Sequence, residues 1–177
     1  FGNLAGLTMA GLFVPFAEQV LGMRSIESGF GVLLALMGVG GLAADWYVNR
    51  QETHDPRTAG MSMAVVAATV VLAGAVPSLV TSVIAMITTG AGFAYYQTNY
   101  TAFRQEIFPA ELLGRVSMAT RTIFYLTMIV GLSTGGVIAD ALGPDRMLMI
   151  FGSISLTGIL VCGFVKLPVD PVTNKTL

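Results

Sequence analysis

Charged residues divide this 177-residue chain into long apolar spans. The stretches without charge cover residues 1–17, 28–44, 58–103, 122–139 and 147–165. A helix of about 20 apolar residues crosses the bilayer core, so four of these stretches have the length of one crossing. The stretch 58–103 is too long for one crossing, and glycine and proline interrupt it at residues 74–78.

These spans predict an all-α, polytopic membrane domain with six transmembrane helices. Helices are required because lipid cannot satisfy free backbone groups, and no segment shows the alternation of a barrel strand. We expect one domain over residues 1–168, followed by a short tail over 169–177. The expected helices cover about 1–21, 29–48, 60–76, 79–103, 114–140 and 147–166.

Composition favours the same class. The chain is 54% hydrophobic and 11% charged, with a mean hydropathy of +0.76, whereas a soluble domain is about 25% charged. The net charge of −1 excludes a global basic surface for nucleic acid. The single Cys162 gives no disulfide framework. Phe1 begins within an apolar run without the basic region of a signal peptide, which predicts a segment of a longer protein.

The basic residues predict an orientation. Two of the nine, Arg24 and Arg146, fall on one side of the membrane. The positive-inside rule makes the other side cytoplasmic. Both ends of this multi-pass segment would then lie in the cytoplasm, at the plasma or inner membrane. The seven basic residues on the cytoplasmic side are Arg50, Arg57, Arg104, Arg115, Arg121, Lys166 and Lys175.

A short motif occurs twice. Residues 40–45 and 135–140 both read Gly-Gly-x-x-Ala-Asp, 95 positions apart. The predicted orientation places Asp45 at the cytoplasmic side and Asp140 at the outer side. Such a pair indicates a three-helix unit repeated in inverted orientation, as transporters use. Asp140 is expected to be a surface acid.

The first copy resembles a motif of the major facilitator superfamily, Gly-x-x-x-Asp-basic-x-Gly-basic-basic, found in cytoplasmic loops. Gly41, Asp45 and Arg50 match the motif, whereas Trp46, Val48 and Asn49 depart from it at two basic positions and at the loop glycine. A second stretch resembles the Gln-x-x-x-Pro-x-x-x-x-Gly-Arg-Val sequence between the tenth and eleventh helices of superfamily exporters for siderophores and macrolide-like drugs. Its matching residues are Gln105, Pro109, Gly114, Arg115 and Val116.

The resemblance covers nearly the whole chain, as the C-terminal six of twelve helices built as a 3+3 inverted repeat. It implies export of a small amphipathic, drug- or siderophore-like solute by proton exchange and alternating access. It also implies a partner, which is the missing N-terminal half or a second copy. A membrane scaffold without transport is the alternative function. An intramembrane enzyme is disfavoured because no catalytic motif is present, and no ATP-binding loop, cofactor site or metal site is expected. His54 stands alone in a polar loop.

The resemblance implies that the first and fourth helices line the cargo cavity. Phe93, Gln97, Tyr100 and Arg104 share one predicted face of the fourth helix. Such a surface suits partly apolar cargo, although tyrosines at this level also form interfacial belts. The expected substrate contacts are Phe13, Phe16, Phe93, Tyr96, Gln97, Tyr100 and Arg121.

Two charges carry open alternatives. Arg121 lies six residues beyond Arg115, about 9 Å deeper in the membrane. It either faces the cavity and holds an anionic group or returns its side chain to the surface. Glu18 either relays protons or sits at the level of the outer headgroups.

A contact between Asp45 and Arg115 is expected to close the cytoplasmic side. In the alternative, both residues are interfacial anchors. The acid Glu111 begins the fifth helix, where the helix dipole favours it. The expected gating and coupling residues are Glu18, Asp45, Arg50, Gln105 and Arg115.

Overall fold

The described part of the chain is all helical. The computed structural model describes residue 13 and residues 16–18, 26–51 and 56–164. Residues 13 and 16–18 are helical and lie within the first predicted span. The remainder forms the helices α1 (Ile26–Val48), α2 (Pro56–Ala75), α3 (Leu79–Ile107), α4 (Ala110–Leu142) and α5 (Pro144–Phe164).

Each of these five helices is long and apolar enough to cross a membrane. They correspond to the second to sixth predicted spans, so the predicted class, an all-α polytopic membrane protein, is confirmed. Arg24, His54, Lys166, Lys175 and the tail over 169–177 lie outside the described residues, as does most of the first predicted helix.

Several helices extend beyond their predicted ends. Helix α2 begins at Pro56 rather than residue 60, α3 ends at Ile107 rather than residue 103, and α4 covers Ala110–Leu142 rather than 114–140. The prediction ended each helix near its charged residues, but helices continue into the headgroup region, where charged side chains are solvated. The 33 residues of α4 span about 50 Å, well beyond a bilayer core of about 30 Å.

The turns between helices follow from local chemistry. Ser78 caps α3: its Oγ accepts from the backbone N–H of Thr81 at 3.2 Å, and its own N–H donates to Thr81 Oγ1 at 3.1 Å. This capping box confirms the break predicted at residues 74–78. Gly143 separates α4 from α5 with a φ of 96°, a conformation that glycine adopts without strain.

Helix packing is uneven across the bundle. Helix α1 packs on α3, and α2 packs on both α3 and α5, whereas α4 packs on α5 and makes only slight contact with α3. Glycines allow the close α1–α3 approach. A Cβ at Gly40 would overlap the Ile87 carbonyl, and one at Gly90 would overlap the Met37 carbonyl. Helix α3 is therefore the central helix among those described, and α4 is the least covered.

Candidate functional site

Four of the seven expected substrate contacts lie on α3, whose side chains point in three directions. One face contacts α1, where the Thr98 hydroxyl donates to Asp45. A second face contacts α2, where the Ser62 hydroxyl donates to the Gly92 carbonyl at 3.3 Å. The third face carries the aromatic residues.

Tyr96, Tyr100 and Arg104 form a column on this third face, called the aromatic column below. The rings of Tyr96 and Tyr100 stack with centroids 5.5 Å apart and planes 8° apart. The guanidinium carbon of Arg104 lies 4.8 Å from the centre of the Tyr100 ring. The spacing of four residues places the three side chains above one another on the helix. All three are half-buried.

Phe93 continues this surface towards α4. Its ring lies 6.3 Å from that of Phe124, with the planes at 50°. Arg121 lies about one turn before Phe124 on α4, and its side chain is exposed. Tyr96 lies 11 residues before the last residue of α3, and Arg121 lies 11 residues after the first residue of α4. Each is therefore about 16 Å along its helix axis from the α3–α4 turn. The two residues therefore lie at a similar depth.

Gln97 belongs to a different surface from the aromatic column. It lines a cavity of about 450 Å³ between the end of α1 and the last turns of α3. This volume is within the usual range for small-molecule sites. The predicted face of Phe93, Gln97, Tyr100 and Arg104 is thus divided. Gln97 lies three residues before Tyr100, which turns it towards α1, whereas Tyr96 lies four residues before and stacks. The cavity lining is Val48, Asn49, Gln51, Gln97, Thr98, Thr101, Ala102 and Gln105.

Asp45 does not contact Arg115, contrary to expectation. Its Oδ1 accepts a hydrogen bond of 2.9 Å from Thr98 Oγ1. Arg115 is exposed in the second turn of α4, and α4 packs on α5 and α3 rather than on α1. The structure therefore joins Asp45 to the wall of the cavity.

A cluster around Tyr95 connects α3 to the last turn of α1 and the first turn of α2. Tyr95 stacks on Tyr47 with centroids 6.5 Å apart, and its hydroxyl lies 3.4 Å from Gln51 Oε1 and 3.3 Å from Thr58 Oγ1. The sequence prediction did not include this cluster. The sequence feature that could have indicated this cluster is the position of Tyr47, two residues after Asp45, which matches the superfamily motif.

Arg50 is held by Trp46. The guanidinium carbon lies 3.7 Å from the centre of the Trp46 ring, and both side chains are exposed. Trp46 occupies the first basic position of the superfamily motif, so a ring replaces a positive charge beside the remaining arginine.

Phe13 and Phe16 are not available to cargo in this structure. Both rings are fully buried, with centroids 5.6 Å apart, and they belong to the core that includes Leu33 and Met86. The prediction treated them as cavity residues because aromatic side chains suit both a cavity wall and a core. Glu18 is exposed beside them.

The fold and this surface define a multi-pass helical membrane protein with an aromatic face and an amide-lined cavity at one end of the bundle. The chain belongs to the Major Facilitator Superfamily, whose model matches residues 1–131. Members of this superfamily are membrane transporters. No curated protein and no solved structure matches the chain.

Proposed function

We propose that this chain is the C-terminal six-helix half of an exporter for a small amphipathic, drug- or siderophore-like solute. The observation that supports the proposal most strongly is the aromatic face of α3, which consists of Phe93 and the aromatic column. This face lies beside the amide-lined cavity. Stacked rings with a few polar groups suit a cargo that is partly apolar. The superfamily membership supports transport, and the stretch from Gln105 to Val116 supports resemblance to exporters.

Cargo would contact Phe93, Tyr96 and Tyr100, with Gln97 supplying a hydrogen bond from the cavity side. Arg121 would add a positive charge at the depth of Tyr96. An uncompensated charge within a membrane helix is costly, and such residues normally face a cavity or a partner. No described acid forms an ion pair with Arg121, which favours a cavity role for its charge.

A partner unit would cover α4. A repeat of 3.5 residues runs along this helix, alternating threonine with isoleucine or valine, and such a repeat forms the seam of two supercoiled helices. Ile123, Val130 and Val137 in this seam are 67%, 61% and 70% exposed. The seam consists of Val116, Thr120, Ile123, Thr127, Val130, Thr134 and Val137.

The threonines of the α4 seam are suited to a helix contact. Thr120, Thr127 and Thr134 each donate their hydroxyl to the carbonyl four residues earlier, at 2.8, 2.8 and 2.7 Å. Each therefore presents its methyl group to a neighbour. We propose that a second six-helix unit occupies the seam, either an N-terminal half of the same protein or a second copy.

Rocking of the two units would expose the aromatic face to each side in turn. Asp45, Arg50, Gln105 and Arg115 would form the cytoplasmic gate, and Glu18 would relay protons. The segment would lie in the plasma or inner membrane with both of its ends in the cytoplasm.

Everted membrane vesicles containing the full-length protein test this function. We expect an acid-inside gradient to drive uptake of an amphipathic fluorescent dye without positive charge, such as Nile red, and dissipation of the gradient to abolish it. Gln97→Ala should lower the initial rate, whereas Gln51→Ala, on the α1 side of the cavity, should lower it less. The scaffold alternative would instead be supported by two results together. The protein would form a stable complex with another membrane protein in the absence of dye, and the vesicles would take up no amphipathic dye under the gradient.

A further inference from the structure

We propose that Arg104 binds an anionic group, a carboxylate or a phosphate, at one end of the cargo, while the cargo's apolar part lies along Tyr100 and Tyr96. This inference rests on the proposed transport function and narrows the cargo to amphipathic anions. The sequence prediction placed Arg104 on the cargo-facing side of the helix without giving it a role.

Arg104 has donors that the described protein leaves unused. Its Nε is buried from solvent and has no hydrogen-bond partner. One terminal nitrogen, Nη2, donates to Thr101 Oγ1, but at the long distance of 3.4 Å. A guanidinium has five N–H donors, and a buried charged donor without an acceptor is strongly unfavourable. Because the Nε itself is covered, an anion from outside this bundle would bind at the terminal nitrogens and offset the charge of the guanidinium there.

No nearby acid supplies the acceptor. Glu106 and Glu111 are exposed at the α3–α4 turn, and neither forms an ion pair with Arg104. Asp45 faces α1, where it accepts from Thr98. Arg104 is thus a half-buried cation without a carboxylate partner in the described part of the chain.

Arg50 provides an internal comparison. It also lies over an aromatic ring, at 3.7 Å from the Trp46 centre, but its side chain is exposed and water can satisfy its donors. Arg104 differs because its Nε is out of reach of water. Proximity to a ring is therefore common to both arginines, but among the two only Arg104 has a donor, its Nε, that is both buried and without an acceptor.

The shape of the surface indicates an anion with an apolar body. The planar guanidinium binds a carboxylate or phosphate through two parallel hydrogen bonds. From Arg104 to Tyr96 the aromatic column rises about 12 Å, and Phe93 and Phe124 continue it. A molecule with its charge at the membrane surface and its rings directed inwards would match both features.

The test measures binding to the purified full-length protein, reconstituted in phosphatidylcholine vesicles, with pyrenebutyric acid and its methyl ester as the probes. The two probes share a ring system and differ in one charge. We expect wild-type protein to bind the acid at least about tenfold more tightly than the ester. Arg104→Gln should remove this preference while leaving ester binding unchanged, and Arg104→Lys should keep part of it. Arg146→Gln, an exposed arginine at the other end of the bundle, should keep all of it.

The outcomes separate this inference from the proposed function. Equal binding of acid and ester by wild-type protein, or an unchanged preference in Arg104→Gln, would overturn the anion site while leaving ester or dye transport intact. Failure of the wild type to transport any amphipathic dye would instead reject the proposed function.

Anionic lipid is the other source of such a group. The same measurement is repeated in vesicles containing phosphatidylglycerol. The measurement is made at high salt, which screens the repulsion between the anionic vesicle surface and the acid. If phosphatidylglycerol still abolishes the preference for the acid in wild-type protein, Arg104 holds a lipid phosphate and the assignment to cargo is wrong. A preference that persists in both vesicle compositions supports the cargo assignment. Retained ester binding shows that Arg104→Gln is folded.

Discussion

Helices α3 and α4 are adjacent in sequence but differ in how they are packed. Helix α3 contacts both α1 and α2, and Gly90 allows its backbone to approach that of α1 closely. Helix α4 leaves most of its seam of threonine, isoleucine and valine exposed, from Ile123 to Val137, although Thr127 within this stretch is half-buried. The difference fits two separate roles for these helices in the proposed transport. A well-supported helix can hold cargo-binding side chains in fixed positions, whereas an uncovered helix can form a contact that changes as two units rock.

Gly90→Ala should have the largest effect because it acts on the support of α3. The new Cβ would overlap the Met37 carbonyl, which belongs to a helix backbone and cannot yield locally. We expect a loss of about 1–3 kcal/mol in stability, measured as a lower Tm of the purified protein in detergent. Gly136→Ala is the control on α4, because its Cβ would enter open space. Equal Tm values for both variants would contradict the close α1–α3 packing.

Val130→Trp tests the role of the α4 seam. A bulky ring there should obstruct the proposed second unit and reduce transport by about tenfold, since overpacking a helix contact forces backbone shifts. Val65→Trp on α2 is the matched control, because Val65 is 55% exposed and lies outside the seam. The measurement is gradient-driven dye uptake by vesicles with equal amounts of each variant. If both variants transport equally well, the seam faces lipid.

Thr98→Val should have a moderate effect on the α1–α3 pair. The change keeps the shape but removes the donor to Asp45, and a hydrogen bond that is only partly buried contributes about 0.5–1.5 kcal/mol. We expect a lower Tm and altered labelling of a cysteine introduced at the end of the bundle that carries Asp45. Thr122→Val is the control, since that hydroxyl donates only within α4, to the Met118 carbonyl. A Tm that is the same in both variants would mean that the Asp45 contact is energetically unimportant.

Trp46→Leu should have the smallest effect. The Arg50–Trp46 pair is exposed, and such a cation–π contact contributes about 0.5–1 kcal/mol. We expect a Tm decrease near the limit of detection, measured beside Leu42→Ala, an exposed change on the same helix. A large loss of stability in Trp46→Leu would show that this ring has a partner beyond Arg50.

The fold class could be predicted because it depends on composition along the chain. Charge-free spans identified the described helices, and residues 74–78 identified the turn that Ser78 caps. Helix ends were less accurate, because charged residues such as Arg57 and Arg104 remain helical at the membrane surface. Hydropathy changes at the edge of the bilayer, whereas a helix ends where its backbone is capped or interrupted.

The site was harder to predict because it depends on how each helix is rotated. Tyr96 and Gln97 are adjacent in sequence, yet one stacks in the aromatic column and the other lines the cavity. Asp45 was correctly placed at the end of its helix, but its partner is Thr98 rather than Arg115. Sequence periodicity predicts the helix face on which a residue lies only to within one position. The contact partner of that residue also depends on how the neighbouring helix is placed.

The two copies of the Gly-Gly-x-x-Ala-Asp motif show the same limit. The first glycines, Gly40 and Gly135, are both buried, but a Cβ at Gly41 would contact α3, whereas one at its counterpart Gly136 would enter open space. Asp45 has a hydrogen-bond partner, and Asp140 is exposed. The sequence showed that the copies resemble each other. Their environments differ because α1 faces α3 and α4 is mostly uncovered.

The central claim is that cargo is carried against the aromatic column of α3. The most direct measurement is the initial rate of gradient-driven dye uptake into everted vesicles containing full-length protein with Tyr100→Leu or Tyr125→Leu. Tyr100 belongs to the column, whereas Tyr125 lies on α4 with 57% of its surface exposed. The account predicts that Tyr100→Leu lowers the rate by about tenfold, as expected for loss of stacking and one hydroxyl contact, and that Tyr125→Leu leaves it near the wild-type value. Equal rates for the two variants would contradict it.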